Sequence, residues 1–218
     1  MQKEPYYTLE NIAAEAARMA GELPPNPRAA ALAPERAALL IIDMQDYFLR
    51  AESRAFLPAA PAIIPNVRAL AAAFRRAGRP VCFTRHANTL ENAGQMAAWW
   101  RELLTDDHPL GAIATGLLAA GDTVRVKSQY DAFLRTDLEK FLRRLRVEQL
   151  VITGVATHLC CESTARSAFS RGFAVFMAID GTATLNRELH VGSLRALAHG
   201  FATPLLLSFI LAELARVS

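Results

Sequence analysis

Cys160 and Cys161 stand side by side in the stretch LVITGVATHLCCESTARSAFSR, which runs from Leu150 to Arg171. The stretch opens as a buried strand, Leu150-Val151-Ile152, breaks at Gly154 and resumes as a helix that Thr157 can cap. A thiol in the first turn of such a helix faces free backbone N–H groups and the positive end of the helix dipole. That setting lowers a thiol pKa and stabilises a neighbouring oxyanion. Most free cysteines are nonetheless small core residues. A nucleophile is therefore expected only if the chain brings a base and a cation to the same place.

Two residues answer that requirement. Asp43 ends the apolar run AALLIID. A carboxylate beside a buried strand is costly unless it is paired or hydrogen-bonded, so Asp43 reads equally as a loop-capping residue or a general base. Lys127 follows Val124-Arg125-Val126 and reads as a solvated strand end or as the cation. Arg85 and His86 leave another strand and can meet either substrate or each other's loop. His158 precedes Cys160 on the same turn, where its geometry as a base is poor. Cys82 lies inside a strand and reads as core. No phosphate-binding glycine loop and no cluster with metal-ligand spacing occurs, so neither a cofactor nor a metal is expected.

The elements that must hold these residues alternate between strand and helix. Strands are expected at 37–43, 81–84, 123–126, 149–153, 173–179 and 202–207. Helices are expected at 61–77, 94–104, 135–145, 187–199 and 208–216, with a further one carrying the cysteines and MQDYFL as loop. This alternation predicts an α/β fold, a three-layer α/β/α sandwich of Rossmann type with a mainly parallel six-stranded sheet. Asp43, Arg85, Lys127, Cys160 and Asp180 then all fall at or just beyond carboxyl ends of strands, the rim where such sheets bind ligands. Residues 1–36 read as an N-terminal arm: an amphipathic helix at 8–21, stopped by Pro24, Pro25 and Pro27, packing on the domain or on a partner subunit. Residues 37–218 read as one catalytic domain.

Of the 218 residues, 52% are hydrophobic and the formal net charge is only +3, which supports a sizeable core and argues against nucleic acid as a partner. Three cysteines, two of them adjacent, do not form a disulfide framework, so a cytoplasmic location is expected. The longest apolar stretch near the C-terminus is broken by Pro204 and Glu213, so no membrane span is expected.

Three segments together, LLIIDMQDYF, VRVKSQYDAFLRTDLEKFL and VITGVATHLCCESTARSAFSRGF, resemble the isochorismatase-like hydrolase superfamily. The resemblance covers about 37–210. It implies a six-stranded parallel sheet and, in the cysteine hydrolase branch, an Asp–Lys–Cys triad that falls here on Asp43, Lys127 and Cys160. It also implies an oxyanion hole from the backbone N–H groups of Ala156 and Cys160, and a cis peptide joining Val155 to Ala156. Gln45, Phe48, Arg85, Trp100 and Tyr130 are the expected substrate contacts. A small-molecule substrate and a homodimer or homotetramer are implied as well. True isochorismatases lack the cysteine, and their W-G-P-G segment is replaced here by WWREL. Nicotinamidases bind a metal through D-x-H and a further His, which RAESRAFLPAAP does not contain. The branch so implied is the metal-free cysteine amidohydrolases acting on small amides, carbamoyl or ureido compounds through a thioester on Cys160. Two other readings stay open: vinyl ether hydrolysis with Asp43 as acid, and a non-catalytic binding relative.

Overall fold

In the computed structural model, which describes residues 2–26 and 30–217, six strands form one sheet, every pair of neighbours parallel. They are β1 (Ala37–Ile42), β2 (Val81–His86), β3 (Thr123–Lys127), β4 (Gln149–Val155), β5 (Ala174–Ala183) and β6 (Thr203–Leu205). The order across the sheet is β3-β2-β1-β4-β5-β6. The central strands β1 and β4 are buried at every residue, as continuous apolar runs covered on both faces must be.

The helices are α1 (Ile12–Gly21), the single turn α2 (Asp46–Leu49), α3 (Ala60–Arg76), α4 (Gln95–Trp100), α5 (Leu138–Arg144), α6 (Glu162–Ser170), α7 (Arg187–Gly200) and α8 (Leu207–Ala215). Crossovers from β1 to β3 step one way along the sheet, and those from β4 to β6 step the other way. Right-handed connections therefore put α3 on one face and α6 and α7 on the opposite face. The α3 helix packs against α8, and α6 against α7. Successive connections from β1 and β4 thus diverge, and a crevice opens where the strand order reverses.

Several elements differ from the expectations. MQDYFL contains α2 rather than loop alone. The first helix starts at Ile12, because Thr8 and Asn11 bond reciprocally: Thr8 N–H donates to Asn11 Oδ1 at 2.7 Å and Asn11 N–H to Thr8 Oγ1 at 3.3 Å. The fourth helix ends at Trp100, where Arg101 takes a left-handed conformation. Asp180 does not end its strand: β5 continues to Ala183, and the Asp180 carboxylate accepts from Leu207 N–H at 2.7 Å. Pro27 of the PPNP connector lies outside the described residues. The arm itself packs against β5 and α7. Tyr6 and Tyr7 are buried, and Tyr7 stands beside Met19 and His190. No helix among the described residues is long and apolar enough to cross a membrane.

Gly154 sets how closely β1 and β4 approach beside the crevice. Its φ is +111°, and a Cβ there would sit 2.1 Å from Ile42 O. Any side chain would meet rigid backbone as well as a conformation that L residues resist. Gly154→Ala is expected to destabilise the fold by more than about 3 kcal/mol, combining backbone strain with overpacking. Urea unfolding at neutral pH measures it, and a loss below about 1 kcal/mol would show that β1 and β4 can separate freely.

Candidate active site

Three of the expected rim residues meet at the reversal point. Asp43 follows β1 directly and adopts φ 49°, a left-handed conformation that Asp tolerates better than most residues. Thr84 of β2 clamps it: the Thr84 hydroxyl accepts from Asp43 N–H at 3.1 Å and donates to Asp43 Oδ1 at 2.7 Å. Lys127, the last residue of β3, reaches the same point with a side chain sealed from solvent. Its Nζ lies 2.6 Å from Asp43 Oδ2 and 3.3 Å from Cys160 Sγ. It also donates to Gln129 O at 2.9 Å and faces His86 Nδ1 at 3.4 Å. Asp43 Oδ2 is buried and, among the described residues, has no formed hydrogen bond beyond that ion pair. That oxygen therefore keeps a lone pair able to accept a proton.

The cysteine turn departs from expectation. After the cis Val155–Ala156 bond, Thr157–Cys161 forms a π-helical turn that leads into α6. Thr157 does not cap it. Its hydroxyl is instead 2.9 Å from His190 Nδ1, which ties the turn to α7. A π turn shifts the register of the side chains that follow and is common at functional sites. Cys160 lines the cavity, whereas Cys161 is wholly buried. Ala156, which follows the cis bond, also lines the cavity.

The expected lowering of the thiol pKa does not occur. Burial pushes Cys160 up to about 12, and the Asp43 carboxylate adds to this, while the Lys127 charge opposes it. Burial works against the ammonium of Lys127, but Asp43 and Cys160 outweigh it and hold its pKa above the ordinary value. The resting pair is a neutral thiol beside a charged lysine. A thiol held in this state would need a base to take its proton before it could act as a nucleophile.

The cavity over Cys160 has a volume of about 510 Å³. Phe48, Trp100 and Tyr130 line it as expected, with Trp100 Nε1 donating to the Tyr130 hydroxyl at 2.8 Å. Trp99 lines it too. Gln45 and Arg85 do not. Gln45 is fully buried and ties the end of β2 to the loop at Gly111: its amide accepts from His86 N–H at 2.7 Å and donates to Gly111 O at 2.8 Å. Arg85 turns to Asp106 in an ion pair. His86 reaches the cavity, its Nε2 2.7 Å from Asn88 Oδ1. His158 reaches it as well and bonds Thr184 through Nδ1. Thr84, Asn88 and the N-terminal Lys3 were not anticipated from sequence.

A metal does not suit this donor set. No three His, Cys, Asp or Glu side chains among the described residues converge to hold one. His86 has one nitrogen on Asn88 and the other against an ammonium.

Two buried histidines give the protein an acid limit. Burial, joined by the Lys127 charge, takes His86 down to about 4, and burial takes His190 down to about 3. Unfolded, both return to about 6.5. Below that pH the unfolded chain binds protons first, so stability is full above about 6.5 and falls as pH drops toward 4. Each is expected to cost on the order of 3 kcal/mol by pH 4. Urea unfolding between pH 7 and 4 should show the decline, with a shallower slope in His190→Gln. A flat profile would mean that these imidazoles are solvated.

A model of the isochorismatase domain matches residues 37–207. Nicotinamidase 3 of Arabidopsis thaliana is 39% identical over 171 residues, covering 76% of this chain and 82% of that protein. Enterobactin synthase component B of Escherichia coli (strain K12) is 36% identical over 180 residues, which is 81% of this chain but only 63% of that protein. A crystal structure of a cysteine hydrolase from Pseudomonas syringae pv. phaseolicola shares the fold with a TM-score of 0.84 at 22% identity, covering 89% of this chain and 99% of that one. With a parallel six-stranded sheet, a cavity at its reversal point and a domain match over most of its length, the chain belongs to the isochorismatase family of hydrolases.

Proposed function

We propose that the protein is a cysteine amidohydrolase that cleaves a C–N bond of a small amide, carbamoyl or ureido compound through a thioester on Cys160. The observation that carries this reading is one ammonium, Lys127 Nζ, held 2.6 Å from a carboxylate and 3.3 Å from a thiol that lines a cavity. Asp43 Oδ2 takes the Cys160 proton as sulfur attacks the carbonyl carbon. The C–S bond forms and the carbonyl π electrons move to oxygen. Backbone N–H groups of Ala156 and Cys160 receive that oxyanion; one such donor is worth about 2.7–4 kcal/mol in other enzymes. Asp43 then passes the proton to the leaving nitrogen, and the C–N bond breaks. Water, deprotonated by Asp43, attacks the thioester. The C–S bond breaks, and the thiol regains its proton as the acid departs. Lys127 stays protonated throughout and balances whichever neighbour is negative.

Supporting the amide reading is the similarity to Nicotinamidase 3 of Arabidopsis thaliana, an amide hydrolase by name. Vinyl ether cleavage would need only Asp43 as acid and would leave the Lys127–Cys160 contact without a role. Ammonia release from a panel of small amides and ureido acids tests the proposal. Activity on at least one, lost in Cys160→Ala, is expected. Equal release by wild type and Cys160→Ala would exclude covalent catalysis.

A further inference from the structure

Lys3 lines the catalytic cavity although it belongs to the N-terminal arm. Residues 3–6 are fastened beside the cavity by several bonds, two of them to the lining residues Leu185 and Arg54. Glu4 N–H donates to Leu185 O at 2.9 Å, and Arg187 N–H donates to Glu4 Oε2 at 3.0 Å. Thr184 N–H donates to the buried Tyr6 hydroxyl at 2.9 Å. Lys3 Nζ donates to Arg54 O at 2.8 Å, joining the strap to a second residue of the cavity lining. Thr184 is also the partner of His158 on the cysteine turn, so strap and nucleophile share one support.

The charges at this mouth are unbalanced. Lys3, Arg54 and Arg101 line the cavity, against a single carboxylate, Glu102, which faces His108 Nε2 at 3.8 Å. Among the described residues none of the three cations forms an ion pair, although most arginines of the chain do. Deeper in, Asp43 is neutralised by Lys127. The lining also includes the aromatic side chains of Phe48, Trp100 and Tyr130. Unpaired cations around a concave, low-dielectric opening concentrate anions there.

We propose that the N-terminal strap makes Lys3 a specificity-determining residue, and that the substrate is an amide or ureido acid whose carboxylate is held at the mouth by Lys3, Arg54 and Arg101. This rests on the amidohydrolase reading for the scissile group, while the anion site itself stands on geometry alone. The aromatic walls grip the part of the molecule between the two ends, and the carboxylate orients its amide toward Cys160.

Iodoacetate and iodoacetamide differ in charge and little in size, so their relative rates at Cys160 probe this mouth without requiring turnover. Alkylation at pH 9 and low salt, read by the mass of the Cys160 peptide, should show an iodoacetate-to-iodoacetamide ratio above that of a free thiol. Lys3→Ala should lower the ratio about fivefold. Lys3→Arg should restore it, and ~1 M salt should erase the difference. On an accepted amide acid, the same Lys3→Ala variant should lose kcat/KM through KM. A ratio that Lys3→Ala leaves unchanged, or both reagents slowing equally, would overturn the proposal. If the ratio falls but no amide acid is hydrolysed, the amidohydrolase reading fails and the anion site stands.

Discussion

Lys127→Met is expected to abolish amide turnover and to cost about 3–5 kcal/mol of stability, the usual consequence of stranding a buried charge. The ammonium is fully buried and has four partners: Asp43, His86, Gln129 and Cys160. Removing it leaves Asp43 without its counter-ion and drives the Cys160 thiol pKa further up, because the lysine charge is what lowers it. Methionine fills the volume but compensates neither effect. Steady-state ammonia release and urea unfolding read the two losses separately. Retained turnover would mean that the lysine only plugs the sheet end.

Asp43→Asn should be as damaging to catalysis, at about 10²–10⁴-fold, for a different reason. Asparagine can still accept from Lys127, but it cannot take the thiol proton. The two variants should part in their alkylation chemistry. The Asp43 carboxylate raises the Cys160 pKa, so removing its charge lowers that pKa and speeds modification by iodoacetamide. Lys127→Met should slow it. Opposite signs in alkylation with the same sign in turnover would separate the base from the cation. If Asp43→Asn turned over normally, another group would have to be the base.

The parts of the site that follow strand ends could be read from sequence. Asp43 and Lys127 stand at the carboxyl ends of β1 and β3, and a parallel sheet brings such positions to one rim. The Cys160 segment was recognisable because Gly154 interrupts an apolar strand. Its helix start was misread, because the hydroxyl of Thr157 is taken by His190, a residue 33 positions away, which local pattern cannot reveal. Asp180 was placed on the rim because a carboxylate commonly marks the end of an apolar run, yet β5 runs on and the side chain caps α8 instead. Gln45 and Arg85 were expected on substrate. Their partners, the His86 backbone at the end of β2 and Asp106 in a loop, are brought to them only by tertiary packing. The thiol pKa was misjudged because the favourable helix end is visible in sequence and the degree of burial is not. Lys3 was invisible for the same reason: only folding lays the arm across the mouth.

The proposed thioester is the most direct object to measure. Wild-type protein quenched in acid during turnover of an accepted amide should carry the acyl group as added mass, mapped to the peptide that contains Cys160. Cys160→Ala should carry none and release no ammonia. Full turnover by Cys160→Ala, or an acyl group found on Cys161 instead, would contradict a nucleophile at Cys160.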